Sequence, residues 1–74
     1  LFVITMEECA EVAQACSKYI RFGGDMETIE KEIGDLICMF DLMSERDWIR
    51  WDRVHQQAEA KAEKLKKWSS LFEH

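Results

Sequence analysis

The sequence predicts an all-α fold with three main helices in a single domain over residues 1–74. The chain contains no proline and only three glycines, two of them adjacent at Gly23 and Gly24. Proline and glycine are the strongest breakers of regular structure, so their scarcity favours long helices joined by few turns. Apolar residues also recur at spacings of three and four, which is the period of an amphipathic helix.

The first helix is expected from about Ile4 to Phe22. Thr5 and Glu8 have the spacing of a capping box, in which each side chain binds a backbone N–H at the helix start. The glycine pair then ends the helix, because glycine readily adopts the left-handed conformation of a C-terminal cap. One side of this helix carries an expected apolar arc: Cys9, Val12, Ala13, Cys16, Tyr19 and Ile20.

The second helix is expected to begin at Met26 or Thr28, with Asp25 or Thr28 as its cap. It is expected to end near Met43 or Ser44. Its apolar stripe, which we expect to face the core, consists of Ile29, Ile33, Leu36, Phe40 and Met43.

The third helix is expected from about Trp48 to Trp68, with Asp47 as its cap. It has a packing stripe at helical spacing, formed by Trp51, Val54, Ala58, Leu65 and Trp68.

Gly34 lies inside the second helix, where glycine costs about 1 kcal/mol relative to alanine. We therefore expect another element or a ligand to approach closely at this glycine.

Charge and cysteine content narrow the function classes. The formal net charge is −5, whereas a nucleic-acid surface needs clustered Lys and Arg to neutralise phosphates. No apolar run has the length of a membrane helix, and no basic segment precedes an apolar signal core in this sequence. Cys9, Cys16 and Cys38 form no disulfide framework, which favours a reducing compartment. We expect a cytoplasmic protein that binds neither nucleic acid nor membrane.

The apolar content predicts assembly with further copies. The chain has 74 residues and is 47% hydrophobic, with three tryptophans and four phenylalanines. A chain this short buries little surface by itself, and small helical scaffolds commonly gain stability by association. We therefore expect a homodimer or homotetramer.

Two pairs of acidic residues lie at or within the core-facing sides of the first two helices. Glu8 and Glu11 form one pair and Glu32 and Asp35 the other, each with a spacing of three that brings both carboxylates to one point. Glu32 projects within the apolar stripe, where a carboxylate is costly unless it is paired or bound to a metal. Both pairs are therefore candidates for a shared metal site.

The residue types select among metals. Four carboxylates make a hard, all-oxygen site that suits Mg²⁺ or Mn²⁺. A di-iron site would use Glu-x-x-His motifs, and zinc would use Cys and His at ligand spacing. His55 and His74 are the only histidines, and neither follows a Glu by three residues.

Two motifs resemble those of the MazG-like all-alpha nucleoside triphosphate pyrophosphohydrolases. Residues 7–11, Glu-Glu-Cys-Ala-Glu, are similar to the family's Glu-Glu-x-x-Glu element. Residues 32–36, Glu-Ile-Gly-Asp-Leu, are similar to its Glu-x-x-Asp element, including the common glycine before the aspartate. Residues 18–23 also resemble the segment after the first motif, so the likeness covers most of residues 5–43.

The resemblance implies hydrolysis of a nucleoside triphosphate to the monophosphate and pyrophosphate, with Mg²⁺ as cofactor and Mn²⁺ as an alternative. The metal ligands carried over from the motifs are Glu8, Glu11, Glu32 and Asp35. Glu7 matches the first acid of the first motif, and the expected catalytic residues are Glu7 and Glu8. Basic residues expected to hold substrate phosphates are Lys18, Arg21, Lys61 and Lys64.

Two other functions remain open at the level of sequence. A non-catalytic oligomerisation or regulatory module with an acidic, metal-binding groove is suggested by the tryptophan-rich third helix. A DNA-binding helical protein is the weaker alternative, because the acidic charge balance opposes it.

Overall fold

A computed structural model describes residues 1–72 of the chain and the side chains of residues 1–68. It consists of α1 (Phe2–Phe22), α2 (Glu27–Glu45) and α3 (Trp51–Phe72), with no strand in the described part. The predicted all-α class with three main helices is confirmed.

The turn between α1 and α2 forms at the predicted glycine pair, but Gly23, with a ψ of −151°, lies outside the left-handed helical conformation that was expected. Gly23 and Gly24 have φ angles of 73° and 112°, which residues with a side chain rarely adopt. The backbone N–H of Gly23 donates to the Tyr19 carbonyl at 2.8 Å and so closes α1. The N-cap of α2 is Met26 rather than the predicted Asp25 or Thr28, although Asp25 Oδ1, one residue earlier, accepts a hydrogen bond of 3.0 Å from the Glu27 backbone N–H. The short turn makes α1 and α2 a helical hairpin.

The predicted capping box is wrong, because α1 begins at Phe2, upstream of Thr5. Thr5 lies inside the helix, and its Oγ1 donates to the Leu1 carbonyl at 2.7 Å, the back-bonding of a mid-helix threonine. Glu8 therefore has no capping role and is available for the site described below.

Asp47 does not cap α3 as predicted. It adopts a left-handed conformation with φ of 58°, and its N–H donates to the Ser44 carbonyl at 3.0 Å. Aspartate tolerates this conformation better than most residues, so Asp47 helps to terminate α2. α3 starts later, at Trp51, with an ion pair of 2.6 Å between Arg50 and Asp52 beside its first turn.

The hairpin has a thin core. Ala15 and Met43 are the buried apolar residues among residues 1–68, and each is 6% exposed. α1 turns the face that includes Glu8, Val12 and Ala15 toward α2. The predicted apolar arc of α1 is therefore wrong in part: five of its six members are exposed, namely Cys9, Ala13, Cys16, Tyr19 and Ile20.

α2 follows the prediction more closely. Four of the five residues in its predicted stripe are buried or half-buried, and Ile33 is 42% exposed. The expected close approach at Gly34 is not found within the described chain, since no heavy atom lies within 4 Å of a Cβ placed there.

α3 contacts the hairpin near its first residue. Trp51 is half-buried and lies edge-on to Phe40, with ring centroids 6.5 Å apart, whereas residues 52–68 are exposed. Apart from Trp51, the predicted packing stripe of α3 is therefore exposed in the described chain. Its apolar side is open: Leu65, for example, is 53% exposed.

Candidate metal centre

Packing of α1 against α2 brings the four predicted carboxylates together. Glu8 and Glu11 come from α1, and Glu32 and Asp35 come from α2. One carboxylate oxygen of each residue lies within 4.8 Å of the chosen oxygens of the other three. We call this group, Glu8, Glu11, Glu32 and Asp35, the acid cluster. Its oxygens are close enough together to coordinate one cation, and only the pairing of the two helices creates this arrangement.

The acid cluster is partly removed from solvent. The side chain of Glu32 is 15% exposed and that of Asp35 is 45% exposed. Glu8 is half-buried, and Glu11 lies at the exposed edge. A cation held by the cluster would therefore be embedded between the helices on the Glu8 and Glu32 side and open to solvent at Glu11.

Two oxygens inside the cluster have no partner. Oε2 of Glu8 and Oε2 of Glu32 are both inaccessible to solvent and accept no hydrogen bond in the described structure. A buried polar atom without a partner costs about 1–3 kcal/mol, and more when it is charged. Because both orphaned atoms are carboxylate oxygens, a hard cation is the ligand that their chemistry fits.

Crowding of the carboxylates raises the pKa of Glu11 above its ordinary value of 4.5. The largest cause is a side-chain hydrogen bond with Glu32, which favours a shared proton, and the negative charges of Glu8 and Glu32 act in the same direction. Like charges at such distances cannot all ionise freely. The metal-free cluster is thus electrostatically strained and gains from any added positive charge.

Lys31 partly supplies that charge, and the sequence-based reasoning missed it. Its Nζ lies 3.3 Å from Asp35 Oδ2 and 3.6 Å from Glu32 Oε1. The hydrogen bond with Asp35, reinforced by the charges of Asp35 and Glu32, raises the pKa of Lys31. The available signal was the spacing of four between Lys31 and Asp35, which places both side chains on one helix face.

A cleft adjoins the acid cluster. It has a volume of about 360 Å³, and its walls include Glu11, Lys18, Thr28, Lys31 and Glu32. A second depression of about 320 Å³ shares Ala15, Lys18 and Thr28 with it and extends to Tyr19 and the glycine turn. Lys18, predicted to bind phosphate, thus lines the same cleft as Glu11 and Glu32.

The other predicted site residues lie outside this cleft. Glu7 is exposed and is not a member of the acid cluster. The Arg21 guanidinium lies 5.4 Å from the centre of the Phe22 ring. Lys61 and Lys64 line a groove on α3 together with Leu65 and Trp68.

A larger concavity, of about 560 Å³, lies at the loop before α3, between Asp47 and Gln57. It contains none of the four clustered carboxylates, and its walls carry Arg50 and Arg53. We therefore place the candidate chemistry in the smaller cleft, where the charged groups converge.

The raised pKa of Glu11 predicts an inverted pH dependence of stability for the metal-free protein. The folded state binds this proton more tightly than the unfolded state, so stability should fall as pH rises from 4.5 through the raised pKa. Thermal melts in chelator should show a higher midpoint just above pH 4.5 than at neutral pH. Glu11→Gln should flatten that slope; an unchanged slope in this variant would contradict the assignment.

The fold and the acid cluster agree with the outcome of a comparison with protein families. A model described as the MazG nucleotide pyrophosphohydrolase domain matches residues 1–69, which is nearly the whole chain. The chain belongs to the MazG family. Searches among curated proteins and among solved structures give no match. This MazG domain has, in its described residues, no helix both long and apolar enough to span a membrane.

Proposed function

We propose that this MazG domain hydrolyses a nucleoside triphosphate to the monophosphate and pyrophosphate, with Mg²⁺ as its cofactor. One observation carries the proposal. Four carboxylates from two helices converge within 4.8 Å, and two of their oxygens are buried without a partner. Membership of a nucleotide pyrophosphohydrolase family supplies the reaction class.

The acid cluster fits the proposed cation. Mg²⁺ prefers carboxylate and water oxygens, and Mn²⁺ accepts the same ligands. Glu8, Glu11, Glu32 and Asp35 would hold the ion, and its charge would relieve the repulsion that raises the pKa of Glu11. When bound, such an ion neutralises charge on the substrate phosphates and lowers the pKa of the attacking water.

Two adjacent acidic residues of α1, Glu7 and Glu8, would have different roles in the site. Glu8 is the half-buried ligand of this helix, so its carboxylate is held in place by the packing of α1 on α2. Glu7 is exposed, four residues before Glu11 and therefore beside it on the helix surface. We assign Glu7 the outer role of orienting water at the mouth of the site.

The cleft offers a place for the substrate. Lys18 lies in its wall, which Glu11 also lines, and its ammonium group is suited to hold a phosphate oxygen. The adjoining depression contains the ring of Tyr19 and leaves room for a sugar or base next to the phosphates. Arg21, Lys61 and Lys64 lie elsewhere on the same chain, so in this proposal they reach substrate only if assembly or movement of α3 brings them near.

We also propose that the domain works as a homodimer or homotetramer. Six residues of α1 recur at alternating spacings of three and four, and all are exposed: Val3, Met6, Ala10, Ala13, Ser17 and Ile20. We call this set the α1 seam. On a helical wheel it lies opposite the side that packs on α2. The spacing is that of the contact positions of paired helices, and three small residues at its centre permit close approach.

A nucleotide panel tests the reaction. Incubation of the protein with ribo- and deoxyribonucleoside triphosphates and Mg²⁺ should release pyrophosphate and the matching monophosphate from at least one of them. Chelator should abolish the release, and added Mg²⁺ should restore it. Release of orthophosphate instead, or no product from any canonical or modified nucleotide, would contradict the proposal.

A second function, a non-catalytic oligomerisation or regulatory module, is favoured by the open apolar side of α3. The side chains of Val54 and Leu65 lie on that side, and both are exposed. The module predicts assembly without turnover, so the same nucleotide panel separates the two functions.

A further inference from the structure

We propose that Lys31 is an internal counter-cation of the acid cluster, which the metal displaces and which then binds a substrate phosphate. The proposal rests on the metal site proposed above and adds a residue and an exchange that the family motifs do not include. The observation behind it is that Lys31 Nζ contacts two of the four clustered carboxylates, those of Asp35 and Glu32.

The contacts of Lys31 compete with those of a metal. An ammonium group donates its hydrogens to the same carboxylate lone pairs that a cation would use. Its distances are 3.3 Å to Asp35 Oδ2 and 3.6 Å to Glu32 Oε1. An ion arriving between the helices therefore replaces one positive charge by two, and the ammonium group must leave these oxygens or weaken its contact with them.

The ion pairs of Lys31 are weak enough to exchange. Its side chain is 69% exposed, and ion pairs of exposed side chains contribute little because water screens them. Lysine is also held by a flexible four-carbon stem, so its amine can move without any change in the helix. The ion pairs of Lys31 thus partly neutralise the negative charge of the metal-free cluster without preventing a divalent ion from binding there.

The displaced amine has a second partner available. Lys31 lines the same 360 Å³ cleft as Lys18, on the opposite helix of the hairpin. Lysines on both walls of a cleft suit a polyphosphate, whose oxygens accept hydrogen bonds from ammonium groups. Metal binding therefore frees the ammonium group of Lys31 to bind the polyphosphate, which couples the binding of the two ligands.

Calorimetric titration of the full chain with Mn²⁺, without nucleotide, provides the first measurement. Lys31→Gln should tighten Mn²⁺ binding about two- to fivefold, the amount expected from losing a weak competing ion pair. Lys31→Arg keeps the positive charge and should therefore bind Mn²⁺ with the wild-type affinity or a lower one. Lys18→Gln is the matched control, since it removes the same charge from the same cleft but no ion pair seen among the described residues.

Binding of inorganic pyrophosphate to the Mn²⁺-loaded protein provides the second measurement. Lys31→Gln should weaken it about tenfold, as expected for a lost hydrogen bond to a charged group. The signature of the exchange is therefore tighter metal together with weaker pyrophosphate in one variant. Lys18→Gln should weaken pyrophosphate only. A merely structural role for Lys31 would weaken both ligands.

The outcomes are distinguishable. Equal Mn²⁺ affinity in wild type and Lys31→Gln, or equal tightening by Lys18→Gln, overturns the exchange but leaves the metal site intact. If neither wild type nor variant binds Mn²⁺, the metal site fails and the exchange fails with it. Circular dichroism of each variant checks the helices, and Lys31→Met replaces Lys31→Gln if the latter is not folded.

Discussion

Glu32→Gln is expected to abolish turnover while making the metal-free protein more stable. The variant loses a charged oxygen from a largely buried position of the acid cluster, because the side chain of Glu32 is only 15% exposed. A catalytic ion contributes several kcal/mol to transition-state stabilisation, so we expect a loss of about 10³-fold or more in kcat/KM.

The gain in stability has a separate cause. Glu32 lies within 4.8 Å of three other carboxylates and has a buried oxygen without a partner. Glutamine removes one negative charge and adds an amide donor for its neighbours. Relief of about 1 kcal/mol would raise the thermal midpoint by about 4–8 °C in a domain of this size.

Release of pyrophosphate measures the loss of turnover, and scanning calorimetry with and without Mg²⁺ measures the change in stability. Wild type should melt at a higher temperature in Mg²⁺, because a ligand that binds the folded state stabilises it, and the variant should not respond. Glu30→Gln is the matched control, since Glu30 is an exposed acid on the same helix outside the cluster. Full turnover by Glu32→Gln, or a lower midpoint without metal, would refute the role assigned to Glu32.

Ala13→Glu is expected to dissociate the proposed assembly into single chains. Ala13 is exposed and lies near the middle of the α1 seam, opposite the face that packs on α2. A glutamate buried there without a partner would cost about 3–5 kcal/mol, which weakens association by at least about 100-fold. Sedimentation velocity should show the mass of one chain.

The single chain should keep its helices and its ability to bind Mn²⁺, because all four clustered carboxylates come from one copy. Ala60→Glu, an equal change at an exposed position of α3 away from its apolar stripe, should leave the assembly intact. An unchanged mass for Ala13→Glu would exclude the α1 seam as the contact surface, and dissociation by Ala60→Glu would place α3 in it.

The helices themselves follow from local information. The scarcity of glycine and proline, the Gly23–Gly24 turn and the hydrogen bond of Asp25 just before α2 are short-range signals, and each acts within a few residues. The sequence therefore predicted all three helices, and the main errors concern where each helix begins and ends. Thr5 and Asp47 misled because a side chain suited to an N-cap is also suited to other backbone positions.

The acid cluster was predictable to the same degree as the helices that carry it. Spacings of three place both members of each carboxylate pair on one face, and the surrounding apolar residues marked Glu32 as unusual. The motif resemblance then joined the two pairs into one site. A capping box with Thr5 would have used the Glu8 carboxylate at the start of α1, but Thr5 instead donates to the Leu1 carbonyl.

Only the tertiary structure decided what the carboxylates and lysines contact. Helical periodicity fixes which residues share a face, but not how far the helix is rotated against its neighbour. That rotation exposed Cys9 and Cys16 and placed Lys18 in the cleft, whereas the position of α3 left Lys61 outside it. Sequence alone thus determined the helices and the two acid pairs, whereas the packing of α1 on α2 decided that four carboxylates and Lys31 meet, because contacts between helices depend on their relative rotation.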